Sequence, residues 1–196
     1  DYKDYPSVSG KQGMLLMNDD ADQAPAGADG LVFLPYMMGE RSPVWDPYAR
    51  GVFFGLSLKT TRREMNRAVL EGCGYGLRQL IEMVEEVTGR PLTSFSSIGG
   101  GAKSRVWAQI KADITGRDIT VLDMNDMAPV GAALLAGVGA GVFRDVYEAS
   151  EKVEKTVCME IKHSDTDKVV YDRRYRVYTG LYPRLKELYQ INLGLL

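Results

Sequence analysis

The sequence predicts an α/β fold, a mixed sheet flanked by helices, and three observations carry that expectation. Short apolar runs bounded by glycine or proline alternate with longer stretches of helical periodicity, the pattern of stacked strand and helix layers. An apolar segment runs into Gly99, Gly100 and Gly101, and a helical stretch opens at once with Ser104 at its mouth. Thr61 and Glu64 stand at capping-box spacing ahead of a long apolar-periodic run, a helix-start signal. With 196 residues, 45% of them hydrophobic, the chain can build one large domain, or a domain with an appendage.

Residues 1–30 read as a leading segment or linker. Within them 14–17 form at most one short turn, and 19–30 are acidic with Ala, Gly and Pro and read as a linker or loop. The domain is expected over 31–196. Residues 31–35 (LVFLP) form a buried strand candidate. Residues 36–51 carry Pro43, Pro47 and several charges among Tyr36, Trp45 and Tyr48. The prolines exclude a regular central strand or helix, leaving a long structured loop, either functional or merely packed by its aromatics and ion pairs. Residues 51–58 give a second strand with Val52 and Phe54 on one face.

The helix after Thr61 shows a stripe of Met65, Ala68, Val69, Cys73, Leu77, Leu80, Ile81 and Val84, and Gly89 and Pro91 stop it. Gly72, Gly74 and Gly76 lie inside it. Each is costly in a helix interior, so a neighbouring backbone or a ligand must come close there. Residues 91–98 are a third strand. Trp107, Ile110 and Ile114 stripe the next helix, which Gly116 ends. Residues 119–122 (ITVL) are a fourth strand. Asp126 and Pro129 open a helix of small residues, 146–149 add a turn, and 151–163 are an exposed loop or edge segment. Ser164 is expected to cap a last helix with a stripe of Tyr171, Tyr175, Tyr178, Tyr182 and Tyr189, kinked or broken at Pro183.

The chemistry concentrates at the glycine turn. Glycines let a ligand approach the backbone, and free N–H groups at a helix mouth suit an anion. The turn is neither a Walker loop nor G-x-G-x-x-G. By itself it admits both a ligand cradle and an empty strand-to-helix connection. A net charge of -2 without a basic stripe gives no case for nucleic acid. No apolar run nears the roughly 20 residues of a membrane span, and the polar, acidic start is unlike a signal peptide. Two cysteines, Cys73 and Cys158, make neither a disulfide framework nor a metal cluster, which suits a reducing, cytoplasmic setting. His163 is the only histidine, expected as a solvated loop residue. Histidine-based triads and zinc sites are therefore hard to assemble.

Several stretches together resemble the C-terminal half of the FGGY carbohydrate kinases, and among them the xylulose kinases. Gly51, Phe53, Gly55, Leu56, Glu64, Met65, Ala68, Val69, Leu70 and Glu71 fill every fixed position of the second family signature. FLPYMMGERSPVWDPYARG and GGGAKSRVWAQIKADITG are similar to its flanking motifs, and the likeness covers about 30 to 189. The resemblance implies an actin-like, ribonuclease-H-like ATPase fold of two lobes around a cleft, using ATP with Mg2+. It carries backbone contacts to the nucleotide over to Gly100 and Gly101. It also carries a position near the base over to Ser104, where relatives often have the longer asparagine. Asp126 would help order the next helix. The sugar site and the catalytic aspartate belong to an N-terminal lobe with no counterpart here, so no catalytic and no metal-binding residue is assigned in this chain. The implied partners are ATP or ADP and, through the missing lobe, a sugar; a homodimer stays open. Kinases of glycerol, gluconate or ribulose, and a non-catalytic nucleotide-binding or interaction module, remain as alternatives. A side chain at 100 or 101 is expected to exclude the nucleotide and spare the fold, and Gly72, Gly74, Gly76 and the 39–43 loop are expected to face the cleft or its floor.

Overall fold

The computed structural model describes residues 10–124 and 127–195; Asp126 lies outside them. Over 10–30, where a linker was expected, helix α1 (Gly10–Gln23) runs into a 3-10 turn (Ala28–Gly30). Ala21, Ala24 and Ala28 are buried. The acidic residues do not keep this segment in solvent, because Asp20 is itself buried. Its carboxylate accepts from Arg62 at 2.6 and 3.2 Å and from Asn66 at 3.1 Å. The small alanines then let the helix lie close against the rest of the core.

Strand β1 (Val32–Leu34) is buried throughout. It pairs antiparallel with β2 (Val52–Phe54), Phe33 opposite Phe53. Helix α2 (Arg62–Thr88) starts on the expected capping box and closes on Gly89, left-handed at φ 64°. Its buried face differs from the expected stripe. Met65 and Val84 are exposed, while Arg67, Leu70, Glu71, Gly74 and Tyr75 turn inward. The reason is a buried ion pair. Arg67 donates to Glu71 (2.8 Å), to the Ala21 carbonyl (3.1 Å) and to the Tyr171 hydroxyl (2.7 Å). Glu71 also accepts from the Gly27 N–H (2.9 Å) and the Tyr75 hydroxyl (3.3 Å). Burial pushes the Glu71 carboxyl up, and the Arg67 guanidinium pulls it back. The helix glycines face this domain's own elements. A Cβ at Gly72 would collide with the Phe33 carbonyl oxygen, one at Gly74 would meet Ile114 at 2.8 Å, and one at Gly76 the Tyr178 hydroxyl at 3.1 Å. They admit β1, α3 and α6.

The strands divide into two sheets. Strand β3 (Ser94–Ser97) runs parallel to β4 (Asp118–Leu122), joined by α3 (Arg105–Thr115). Strand β5 (Val157–Ile161) lies antiparallel on β4, so 151–163 is an edge strand and its approaches. Helices α4 (Met127–Gly139) and α5 (Val146–Glu151) follow β4. Helix α6 (Lys168–Asn192) runs unbroken through Pro183. Tyr175, Tyr178 and Leu181 before the proline and Tyr189 after it are all buried, so packing on both sides holds the helix. Ser164 does not cap α6. Its hydroxyl accepts from the Thr166 N–H at 3.2 Å, and Asp167 stands at the cap without a side-chain bond.

His163 is an exposed loop residue, as expected, and is tethered there. Its backbone N–H donates to Asp118 at 3.1 Å, and its Nδ1 lies 2.9 Å from the same carboxylate oxygen. Lys162 Nζ donates to the other oxygen at 2.8 Å.

Two predictions follow from these ionic contacts. Glu71→Ala leaves Arg67 uncompensated and should cost about 3–5 kcal/mol in denaturant unfolding. The double variant Arg67→Met with Glu71→Leu should lose less than the single one; a larger loss would mean that the pair's hydrogen bonds, not its mutual charge, hold the site. At Asp118 the hydrogen bonds from Lys162 and then His163 hold the carboxyl well below the usual carboxylate range. The contribution is therefore present above about pH 3.9 and lost as pH falls below it toward the lowered value. Asp118→Asn should flatten the acid limb of a stability-against-pH curve, and an unchanged limb would contradict this.

Candidate functional site

Parallel β3 and β4 both end on the side where the glycine turn lies, and the Gly99 N–H donates to the Met124 carbonyl at 3.3 Å, tying the two strand exits together. A helix does not begin at once. A 3-10 turn (Gly100–Lys103) intervenes, and α3 starts at Arg105. Ser104 caps α3 as expected, its Oγ accepting from the Trp107 N–H at 3.1 Å. A serine hydroxyl still has a proton to donate. Ala102 is buried under the turn, and its N–H donates to the Gly99 carbonyl at 3.2 Å. Among the described residues, the N–H groups of Gly100 and Gly101 meet no backbone acceptor.

The three glycines have three different reasons to be glycine. Gly99 sits at φ 88°, which side chains rarely adopt. Gly101 is packed: a Cβ there would meet the Trp107 ring at 2.6 Å. A substitution at 101 thus disturbs the turn with or without a ligand, contrary to the expectation. Gly100 is exposed, its φ is ordinary, and nothing stands within 4 Å of where its Cβ would be. Of the three, only Gly100 has neither a positive φ nor a neighbour that bars a side chain.

Trp107 is the residue that the sequence undervalued. It lies half-buried beneath Gly101, and its indole N–H donates to the Leu70 carbonyl of α2 at 3.2 Å. The Lys111 ammonium sits 4.8 Å above its ring, and burial holds that ammonium below the usual lysine range. The W-x-x-x-K spacing was the available signal, since i and i+4 share a helix face. Lys103, beside the turn, pairs with Asp123 at 3.2 Å.

Two other places bear on function. The 36–51 loop is fixed by Asp46, which is buried and accepts from the Tyr48 N–H (2.8 Å) and the Tyr182 hydroxyl (2.9 Å). Its Met38 and Trp45 are exposed. A cavity of about 300 Å³ lies among α2, α3 and α6, away from the turn. Most of its charges are paired, Arg78 with Glu82 (3.0 Å) and Asp172 (2.7 Å) and Arg117 with Glu85 (2.7 Å), while Arg117 Nε is buried without a hydrogen-bond partner among the described residues. It is a lined ion-pair cluster and not an extension of the glycine site.

Comparison with known proteins gives a consistent result. The description "FGGY family of carbohydrate kinases, C-terminal domain" matches residues 7–140. A xylulose kinase of Staphylococcus epidermidis is 39% identical over 171 residues, covering 86% of this chain and 34% of that protein. A gluconokinase of Bacillus subtilis is 35% identical over 136 residues, 69% of this chain and 26% of that protein. The crystal structure of xylulose kinase from Rhodospirillum rubrum superposes with a TM-score of 0.75 at 32% identity, covering 93% of this chain and 36% of that one. The chain thus spans about a third of the length of the relatives it matches. It belongs to the FGGY family of carbohydrate kinases, as a C-terminal domain of that family.

Proposed function

We propose that this chain is the nucleotide-binding lobe of a sugar kinase of the xylulose-kinase type, serving transfer of the γ-phosphate of ATP to a ketopentose hydroxyl. The observation that carries the reading is the open backbone at Gly100. It stands at the carboxyl end of two parallel strands, where ligands of such sheets bind, above a helix capped by Ser104. Gly100 and Gly101 offer to the adenosine part of the nucleotide two N–H groups that meet no backbone acceptor among the described residues, and the Ser104 hydroxyl offers a donor near the base. Trp107 holds the turn from below. Phosphoryl transfer depends mainly on positioning and charge neutralisation, so a rigid, preformed turn is what this lobe contributes.

The sugar-holding residues and the general base are assigned to an N-terminal lobe, in keeping with the third of the relatives' length that this chain spans. Among the described residues, no group of three or more His, Cys, Asp or Glu could hold a metal ion. Mg2+ belongs to this reading as the ion that arrives with ATP. The similarity to a gluconokinase supports gluconate as a second choice of sugar. A cytoplasmic setting suits the two free cysteines, and no helix among the described residues is long and apolar enough to cross a membrane.

The test is calorimetry with ADP on the chain joined to a sugar-binding lobe. Gly100→Val should weaken ADP at least tenfold with an unchanged unfolding midpoint, because its side chain points into open space. Ser104→Ala should cost about 1 kcal/mol of stability through its cap and weaken ADP less. Wild-type affinity in the valine variant would reduce the turn to a mere connection. The chain by itself should phosphorylate neither D-xylulose nor gluconate; turnover abolished by replacing one of its own acids would overturn the division of labour.

A further inference from the structure

Lys111 carries a charge that the domain does not answer. Long side chains on a helix lie back over the turn that precedes them. From position 111 the stem therefore runs along α3 toward its first turn, and the ammonium comes to rest 4.8 Å above the Trp107 ring. The residue is half-buried there. Lys103, Lys162 and Lys168 each reach a carboxylate, at 3.2, 2.8 and 3.7 Å. Among the described residues Lys111 reaches none and makes no hydrogen bond. The titratable group that acts on it is the Cys73 thiol of α2. Burial pushes that thiol up, so it supplies no negative charge at neutral pH. An indole face attracts a cation but carries no countercharge.

The same ring supports the glycine turn. A Cβ at Gly101 would meet its Cζ3 at 2.6 Å and its Cε3 at 3.2 Å. At that turn the Gly100 and Gly101 N–H groups meet no backbone acceptor among the described residues, and the Ser104 hydroxyl has a proton to give. The acid nearby, Asp123, is taken up by Lys103. Donors and a positive charge thus collect around Trp107 with no acceptor to match them, and the group that matches them is an anion. Resting on the nucleotide reading, the charge also says which part of the nucleotide is meant. Adenosine is neutral and gains little from an ammonium, whereas a phosphate gains a charge-assisted bond.

We propose that Lys111 is a phosphate-binding residue of this lobe: its ammonium leaves the Trp107 ring to meet a phosphate oxygen of ATP or ADP held at the glycine turn, and so gives the lobe a preference for nucleotides over nucleosides. The flexible four-carbon stem and three rotatable donors of a lysine suit such a move. Without ligand the ammonium is parked on the indole; with ligand it gains the countercharge that the domain itself withholds.

The test titrates ADP, adenosine and inorganic pyrophosphate separately into the full chain, followed by NMR of the Gly100 and Gly101 amides, which reads weak binding. Wild type should hold ADP at least tenfold more tightly than adenosine. Lys111→Met keeps the apolar stem over the ring and removes the charge. It should bring ADP to within twofold of adenosine, change adenosine itself less than twofold and leave the unfolding midpoint no lower. Lys111→Arg should restore most of the difference. An undiminished preference for ADP in the methionine variant overturns the proposal. Equal weakening of ADP and adenosine does so too, because it reduces Lys111 to a prop for Trp107. Adenosine held by wild type without any preference for ADP also overturns it, yet keeps the nucleotide site. Pyrophosphate held through Lys111 with adenosine unbound does the reverse, keeping the phosphate contact and sinking the nucleotide reading. Absence of binding by all three probes overturns both.

Discussion

The Arg67–Glu71 pair is the constraint on which the rest of the domain depends. Two opposite charges one helical turn apart are withdrawn from water, and each is tolerated only because the other is there. Their remaining hydrogen-bonding capacity reaches three separate segments: the Ala21 carbonyl on α1, the Gly27 N–H before the 3-10 turn and the Tyr171 hydroxyl on α6. The pair thereby fixes the rotation of α2. With Arg67 and Glu71 inward, Leu70 is also inward, and its carbonyl meets the Trp107 indole. Trp107 in turn lies under Gly101. A line of direct contacts thus runs from the buried pair to the glycine turn, and the shape of the site is set by which face of α2 is buried.

That line explains which features were legible in the sequence. Signals whose physics is local were read correctly: the Thr61–Glu64 capping box, the Ser104 cap, the left-handed glycines at 89 and 116, and the short strands at 32–34, 52–54 and 118–122. Signals decided by tertiary partners were not. Periodicity assigned the α2 core face to Met65 and Val84 because charged residues count as outward, and nothing local says that Arg67 and Glu71 will find each other and Tyr171. The acidic stretch at 19–30 looked solvated for the same reason, although Asp20 has two partners on α2. At Pro183 the local rule for a break is overruled by tyrosines packed on either side.

The glycine turn shows a finer version of the same limit. A run of three glycines reports only that side chains are unwelcome. It does not separate a backbone that needs positive φ from a ring lying close beneath, or from a ligand lying above. The structure separates them, and only Gly100 is left without a reason inside this domain. The candidate site narrows accordingly. The glycines of α2 follow the opposite course: their cause is internal, since Gly72 and Gly74 admit the Phe33 carbonyl and Ile114.

Part of what remains outside is apolar. With its charged pair turned inward, α2 leaves Met65, Met83 and Val84 exposed on its other side, and α4 buries nothing. A helix ordinarily points its charges to water and its apolar stripe to the core. Here α2 reverses that arrangement in part, and α4 has no charges to point anywhere. Exposed apolar area on this scale marks a surface made to be covered. On α2 the two facts have one cause, since the rotation that takes Arg67 and Glu71 out of water is the rotation that leaves Met65, Met83 and Val84 in it.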